Sequence, residues 1–153
     1  MHAALSRDGW RPARNLWETR RARYSVPHNL DSVLMVDDEP DIRTIGEIAL
    51  RDVGGLKVTL AASGREALEI VGPTKPDVIL LDVMMPDMDG PTTLERLRAQ
   101  PSTQGIPVVF MTAKVQRQEV ERYMKLGAAG VVAKPFDPMT LASEVRRIVT
   151  SLP

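Results

Sequence analysis

Acidic, hydroxyl and ammonium side chains follow four separate apolar runs of this sequence. Asp37 and Asp38 come after SVLMV, Asp82 after DVILL, Thr112 after IPVVFM, and Lys134 after GVVA. Carboxylates about 5 Å apart repel each other by roughly 3 kcal/mol per pair at an effective dielectric constant of about 20. A divalent cation such as Mg²⁺, which prefers oxygen ligands, removes that repulsion. A metal, an ammonium group and a hydroxyl around a carboxylate can neutralise a transferring phosphoryl group, and the carboxylate can be the nucleophile.

Each of these residues also has a plainer interpretation. An acid after a strand often favours the positive N-terminus of the next helix, which fits Asp38 or Glu39. Thr112 fits a helix cap, and Lys134 fits a solvated lysine before a turn. Taken together, the residues favour a single site, provided that the elements before them end at the same edge of a sheet.

Five short and almost wholly apolar runs predict β-strands that are covered on both faces. They span residues 32–36, 57–61, 77–81, 106–111 and 130–133. Charges and apolar residues at helical spacing predict helices over 40–52, 64–71, 91–99, 114–126 and 138–152. A β-α alternation repeated five times predicts an α/β fold with a doubly wound, five-stranded parallel sheet. Such sheets bind ligands beyond the carboxyl ends of their strands.

The composition fits one globular domain preceded by a basic segment. The chain has 153 residues and no cysteine, which excludes a disulfide scaffold and thiol catalysis. No apolar run approaches the roughly 20 residues that cross a bilayer, so we expect no membrane span. The net charge is zero, but residues 1–30 carry six arginines against two acids, whereas residues 31–153 hold 14 basic and 18 acidic groups. We therefore expect a domain over 31–153 and a basic, disordered N-terminal tail over 1–30.

The tail has two competing interpretations. The plainer one is a disordered extension, or a start codon placed too far upstream. The functional one is a segment rich in arginine and tryptophan, with Trp10 and Trp17, that contacts nucleic acid, an anionic membrane or a partner. The segment lacks the apolar stretch of a secretion signal, so we expect the protein to be cytoplasmic.

Four motifs in order resemble the receiver domain of two-component response regulators. They are VDDEP at 36–40, LDVMMPDMDG at 81–90, MTAK at 111–114, and the stretch from Gly127 to KPF at 134–136. The separations also fit: 45 residues from Asp37 to Asp82, 30 more to Thr112 and 22 more to Lys134. The resemblance covers about residues 31–152 and implies the flavodoxin-like strand order 2-1-3-4-5. Because the sequence ends with the fifth helix, we expect a stand-alone, single-domain type.

The resemblance implies roles for the acidic residues. Asp82 would be the phosphoacceptor. Asp37 and Asp38 would hold Mg²⁺ together with Asp82 and the backbone carbonyl of Met84, with Asp37 acting directly or through water. Mn²⁺ could substitute for Mg²⁺ as the cofactor.

The resemblance also implies roles near the last two strands. Thr112 would bond the phosphoryl oxygen and move on activation, while Lys134 would pair with the phosphate. The Lys134–Pro135 peptide bond is expected to be cis. The family usually has a switch aromatic three positions before the lysine, and Val131 replaces it here. Apolar Met84, two positions after the acceptor, predicts a fairly long-lived phosphoryl state.

The function implied is that of a phosphoacceptor switch in a phosphorelay. The phosphoryl group would come from the phosphohistidine of a sensor histidine kinase or a histidine phosphotransfer protein, since residues 31–153 hold no histidine. The signal would leave by contact with a downstream target protein or by passing the phosphate on. We expect no enzyme activity beyond Mg²⁺-dependent self-phosphorylation and slow autodephosphorylation. We expect no direct DNA binding, because the domain is acidic and poor in aromatic residues. A phosphorylation-linked homodimer is a further expectation.

Two alternatives belong to other classes. An aspartate-nucleophile phosphohydrolase would need a second Asp two residues after the nucleophile, where Met84 stands. A non-phosphorylated, receiver-like binding module would leave the acidic cluster unexplained, and the sequence has no glycine-rich loop that could cradle a nucleotide.

Overall fold

A five-stranded parallel sheet forms the centre of the fold, in the predicted order β2-β1-β3-β4-β5. The computed structural model of the protein describes residues 29–152, so the predicted tail lies outside the described residues except for its last two. The strands are β1 (Ser32–Val36), β2 (Lys57–Ala61), β3 (Val78–Asp82), β4 (Val108–Thr112) and β5 (Gly130–Ala133). The predicted α/β class and the doubly wound sheet are therefore confirmed.

Five helical segments connect and follow the strands. They are α1 (Pro40–Glu47), which continues as a π-helical turn (Ile48–Val53), α2 (Gly64–Thr74), α3 (Gly90–Arg98), α4 (Arg117–Lys125) and α5 (Leu141–Thr150). The π-helical turn ends at Val53, and Gly55, two residues further on, has a φ of 71°, in the left-handed region that glycine tolerates. The helices occupy the predicted stretches, but two of them begin later than predicted.

Local hydrogen bonds explain both late starts. The N–H of Lys114 donates to the Thr112 hydroxyl, at 3.0 Å, and holds the chain in a turn where the sequence predicts helix from 114. The Asp137 carboxylate accepts from the N–H of Met139, at 2.9 Å, and forms a separate turn before α5. Such side-chain bonds to nearby backbone compete with helix formation.

Two strands also differ from prediction by a residue or two. β3 is shifted by one residue and includes Asp82, because the N–H of Asp77 is already bonded to Ser32 outside the strand ladder. β4 begins at Val108 rather than 106, because Pro107 has no N–H to donate to the sheet. Both strands also extend one residue further than predicted at their carboxyl ends, so Asp82 and Thr112 are the last residues of their strands.

Alternate strand residues supply two separate apolar layers. Met35 of β1 packs with Leu50 and Val145 on the side covered by α1 and α5. Leu34 packs with Leu94 on the side covered by α2, α3 and α4. Every residue of β3 and β4 is buried. Each fully buried Val or Leu contributes about 1.5–3 kcal/mol, so the two layers fix the strand ends rigidly.

In the part of the chain that the structure describes, none of the helices combines the length and the apolar character that crossing a membrane requires.

Candidate functional site

Three carboxylates meet where β1 and β3 end. Asp37 and Asp38 follow β1, and Asp82 is the last residue of β3. One oxygen from each of the three lies within 4.8 Å of the others. Asp37 is wholly buried and Asp82 is 4% exposed. The pairing of β1 with β3 positions the group, since Val36 lies beside Leu81 in the parallel register.

One ammonium group sits among these carboxylates. The Nζ of Lys134, from the residue after β5, lies 3.0 Å from an oxygen of Asp37 and 3.4 Å from an oxygen of Asp82. It is also 3.8 Å from the exposed carboxylate of Glu39. One positive charge thus faces two buried negative charges, and Asp38 adds a third at the rim. The cluster keeps a deficit of positive charge.

The charge deficit changes proton affinities. Burial, followed by the negative charge of Asp37, raises the pKa of Asp82 to about 6, although Lys134 acts in the opposite direction. Burial lowers the pKa of Lys134, but the hydrogen bond and charge of Asp37, together with Asp82, outweigh it and raise that pKa above its ordinary value. Asp82 is therefore the group that lacks charge compensation, while Lys134 is held as a cation.

The donor set fits a hard divalent cation. All the available ligand atoms are carboxylate oxygens, the type that Mg²⁺ prefers, and they converge within one ion's reach. A second positive charge beside Lys134 would oppose the burial and the negative charge of Asp37, which together raise the pKa of Asp82. The residues that the sequence predicts as metal ligands are thus brought together.

The backbone around Asp37 is fixed from three directions. Its N–H donates to the carbonyl of Ala61, at 3.1 Å, and its carboxylate accepts from the N–H of Glu39, at 2.9 Å. The guanidinium of Arg43, on α1, donates to the carbonyl of Asp37 at 2.8 Å. Sequence reasoning did not find Arg43, because its role becomes visible only once α1 packs back over the loop.

The loop after Asp82 wraps around the acceptor. The N–H of Met84 bonds toward the Asp82 carboxylate, while the side chain of Met84 is 68% exposed. Gly90 closes the loop by donating to the carbonyl of Val83, at 2.8 Å. A Cβ at Gly90 would lie 2.6 Å from the carbonyl oxygen of Asp82, so only glycine fits there. The backbone of Met84 therefore lies close to the Asp82 carboxylate, and the role of its carbonyl as a metal ligand stays a prediction.

Thr112 and Lys134 reach the same edge from neighbouring strands. Thr112 is 4% exposed and lies beside Ala133 in the β4–β5 register. The N–H of Lys134 donates to the carbonyl of Thr112 at 2.9 Å. The Thr112 hydroxyl accepts from the N–H of Lys114. The Lys134–Pro135 peptide bond is cis. All four strand ends with predicted site residues thus converge.

Sequence reasoning missed an aromatic residue close to the position of Val131. Val131 is half-buried and lies beside Phe110 of β4 in the sheet register. The ring of Tyr123, the one buried residue of α4, meets Phe110 edge-on at 5.2 Å between centroids. Arg122 covers the Tyr123 ring at 5.4 Å. The sequence signal for Tyr123 was limited to one aromatic side chain in a mostly polar helix.

Comparison with known proteins supports one assignment. A family model for the response regulator receiver domain matches residues 33–146. The chain is similar to Response regulator Rre1 of Synechocystis sp., with 37% identity over 118 residues that cover 77% of this chain and 51% of that protein. It is also similar to DNA-binding response regulator MtrA of Mycolicibacterium smegmatis, with 37% identity covering 74% of this chain and 48% of that protein. The chain spans about half the length of these curated relatives.

Solved structures show the same likeness over nearly their whole length. Chemotaxis protein CheY4 of Vibrio cholerae has a TM-score of 0.72 and 34% identity, covering 78% of this chain and 99% of that chain. The signal receiver domain of a signal transduction histidine kinase from Syntrophus aciditrophicus has a TM-score of 0.68 and 32% identity, covering 80% of this chain and 92% of that chain.

Proposed function

The chain belongs to the family of response regulator receiver domains, and from that membership we propose that Asp82 accepts a phosphoryl group in a Mg²⁺-dependent phosphorelay. The observation that carries the proposal is the uncompensated carboxylate cluster, in which Asp37 and Asp82 share the partly buried ammonium group of Lys134 and Asp38 lies beside them. Receiver domains are in general signalling modules rather than enzymes, and a two-component system is their usual setting.

The acceptor step begins at a carboxylate oxygen of Asp82. That oxygen attacks the phosphorus of a phosphohistidine, the phosphorus–nitrogen bond breaks, and the imidazole leaves with the electron pair and then takes a proton. Asp82 is suited to this role because it is a strand-end carboxylate that one ammonium neutralises only in part. The described residues hold no histidine, so the donor imidazole comes from a sensor histidine kinase or a histidine phosphotransfer protein.

Charge around the acceptor favours the transferred group. Asp37, Asp38, Asp82 and the Met84 carbonyl would hold Mg²⁺ or Mn²⁺, which would supply positive charge to the phosphoryl oxygens. Lys134 Nζ, 3.4 Å from Asp82, is placed to pair with the same oxygens once the phosphoryl group is present. The Thr112 hydroxyl would move to donate its O–H to a phosphoryl oxygen and in exchange would lose the bond that it accepts from the Lys114 N–H.

The output follows from that exchange. Freeing the N–H of Lys114 would release the turn before α4, and the structure around Tyr123 would repack. We expect the signal to pass to a downstream target protein, to a further phosphotransfer partner, or into a homodimer. A cytoplasmic setting fits a kinase as donor. One relative is named a DNA-binding response regulator, so the absence of DNA binding in this chain stays a prediction.

The two alternatives explain less. A phosphohydrolase needs an acid/base group two residues after the nucleophile, and that place holds an exposed Met84 thioether. A binding module without phosphorylation gives no reason for burying Asp37 and Asp82 beside a single ammonium, which costs free energy unless a ligand balances the charge.

Intact-mass spectrometry tests the proposal. The protein is incubated with acetyl phosphate, with Mg²⁺ and with excess chelator in parallel. We expect one phosphoryl adduct that needs Mg²⁺ and is absent in Asp82→Asn. Asp87→Asn is the matched control, because it makes the same change at an exposed position of the same loop and should keep the adduct. An adduct on Asp82→Asn would refute the assignment, and catalytic turnover without a stable adduct would favour the hydrolase.

A further inference from the structure

The two ends of α4 are built differently. At its beginning, Gln116 occupies the N-cap position and makes no side-chain cap hydrogen bond. At its end, the N–H of Gly127 donates to the carbonyl of Met124 at 3.1 Å, and Gly127 has a φ of 110°. The N–H of Ala128 donates to the carbonyl of Tyr123 at 3.2 Å. These two bonds form a Schellman motif, which satisfies the last carbonyls of a helix, so only the end of α4 is capped.

Arg98, the last residue of α3, holds the capped end of α4 to the rest of the domain. Its guanidinium donates to the carbonyl of Ile106, just before β4, at 3.0 Å and to the carbonyl of Gly127, which is buried, at 3.4 Å. The N–H of Ala129 adds a bond to the carbonyl of Val108 at 2.7 Å. Hydrogen bonds from a charged donor are stronger than neutral ones. One side chain thus links α3, the entry to β4 and the exit from α4.

The beginning of α4 is exposed. Residues 113–118, which include the turn before the helix, are all exposed. The bond from the N–H of Lys114 to the hydroxyl of Thr112, at 3.0 Å, ties this stretch to β4. The ion pair of Arg117 with Glu121, at 3.1 Å, stays within α4. Exposed segments with few buried contacts open locally at a low cost in free energy, so the beginning of α4 can move while its end stays in place.

Two adjoining grooves give the beginning of α4 room to move. The larger lies between α4 and the loop after Asp82, has a volume of about 600 Å³ and has Met84 and Lys114 in its wall. The smaller, of about 290 Å³, reaches Arg98. Pro91, on α3, lines both grooves, so they separate α3 from α4 along the helix.

We propose that α4 turns about its end as a lever, and that Arg98 is the positioning residue that fixes the pivot. Loss of the bond between Lys114 and Thr112 frees the beginning of the helix, while the Schellman motif and Arg98 hold Gly127. A helix of nine residues is about 14 Å long, so a turn of about 10° moves its beginning by about 2 Å. The trigger by phosphorylation of Asp82 rests on the proposed function, whereas the pivot does not.

Hydrogen-exchange mass spectrometry of the full chain, without a phosphodonor, tests the pivot. Thr112→Val removes the hydroxyl that accepts from the N–H of Lys114. We expect exchange over residues 113–120 to become about tenfold faster, as for the loss of one hydrogen bond, and exchange over 124–130 to stay within about twofold of wild type. When Arg98→Met is added, exchange over 124–130 should become faster than in Arg98→Met alone, because the released beginning then carries the end with it.

The double variant separates a pivot from a merely structural role. If Arg98 only stabilised the end of α4, the effects of Thr112→Val and Arg98→Met on exchange over 124–130 would add without coupling. Arg96→Met is the matched control, because it makes the same change at an exposed position of the same helix and should leave 124–130 unchanged. If Arg98→Met does not fold, Arg98→Lys, which can donate from one nitrogen only, takes its place.

Acetyl phosphate with Mg²⁺ then tests the trigger, with intact mass recording the adduct. Once the adduct has formed on wild type, exchange should change over 113–120 and not over 124–130, whereas in Arg98→Met it should change over both segments. Absence of the adduct would refute the proposed function and leave the Thr112→Val result to decide the pivot. The pivot is overturned if Thr112→Val alone changes both segments equally, if the two substitutions only add, or if Arg96→Met acts like Arg98→Met.

Discussion

Strand β3 has an aspartate at each of its two ends, and the two behave differently. Asp77, just before the strand, accepts two backbone N–H groups on one oxygen, and its own N–H donates to Ser32. Asp82, at the other end, faces the negative charge of Asp37 and shares Lys134 with it. The first carboxylate is satisfied by the fold and joins the start of β1 to β3. The second is left short of positive charge, and the chemistry belongs there.

The difference also explains why only one of the two carboxylates calls for a ligand: Asp77 is half-buried, whereas Asp82 is buried. No ligand is needed around Asp77, because neutral donors already bind it. Around Asp82 the fold accepts an unfavourable charge balance that a metal and a phosphoryl group can correct. Substitutions that change the charge balance around Asp82, and substitutions that weaken the bonds to Asp77, should therefore change the free energy of unfolding by different amounts and with different signs.

Lys134→Gln should give the largest effect. It leaves two buried carboxylates without their cation, which typically costs about 3–5 kcal/mol. We expect the free energy of unfolding at neutral pH, in chelator, to fall by about that amount, and Mg²⁺ to restore part of it. Chemical denaturation measures the change. Lys114→Gln, at an exposed lysine of the same edge, should be nearly neutral, and equal effects of the two variants would contradict the account.

The second largest effect should be a pH dependence of stability that comes from Asp82. The raised pKa of Asp82, about 6 against an ordinary 3.8, means that the folded state binds a proton more tightly than the unfolded state. This tighter proton binding stabilises the folded state fully below pH 3.8. The stabilisation is lost as the pH rises through about 6, and the loss is at most about 3 kcal/mol.

Asp82→Asn removes this loss. In chelator the variant should match the wild type near pH 4 and exceed it by about 2–3 kcal/mol at pH 7. Urea denaturation across that pH range measures the difference. A constant difference between the two proteins at every pH would show that Asp82 is already neutralised by Lys134.

Asp77→Asn should have the opposite sign and a smaller size. The amide can keep one acceptor oxygen, but it loses the charge that strengthens the bonds from Asp31 and Ser32, for a cost of about 1–2 kcal/mol. Unfolding at neutral pH should become easier, with no effect of Mg²⁺ on the difference. Asp52→Asn, at an exposed position after α1, serves as the control. A stabilised Asp77→Asn would remove the contrast between the two ends.

Arg43→Gln should give the smallest effect. The guanidinium fixes the carbonyl of Asp37 from outside the carboxylate cluster, and such supporting contacts typically change metal affinity by about tenfold. In thermal unfolding, we expect the Mg²⁺ concentration that gives half of the maximal rise in melting temperature to increase by about that factor. The melting temperature without metal should barely change, and an unaltered Mg²⁺ midpoint would exclude a positioning role.

The sequence predicted the site better than it predicted the helix starts. Asp37, Asp82 and Lys134 each follow a buried run, and parallel strands bring their carboxyl ends to one edge, so their meeting could be expected. The start of α4 could not be expected, because a single bond from Lys114 to the Thr112 hydroxyl decides it.

The other residues that the sequence did not predict make contacts that form only when the helices pack on the sheet. Arg43 contributes through a backbone carbonyl six residues away, and nothing in its sequence neighbours distinguishes it from a surface arginine. Tyr123 lies in a mostly polar helix, so its edge-on contact with Phe110 becomes visible only when α4 is laid on the sheet. Contacts between elements distant in sequence leave no periodic signal.

One experiment on the two ends of β3 tests directly whether Asp82 is the phosphoacceptor. Wild type, Asp82→Asn and Asp77→Asn are incubated with acetyl phosphate and Mg²⁺, and their intact masses are measured. We expect one phosphoryl adduct on wild type and on Asp77→Asn, none on Asp82→Asn, and none on any of them in chelator. An adduct that persists in Asp82→Asn, or forms equally without Mg²⁺, would contradict this role.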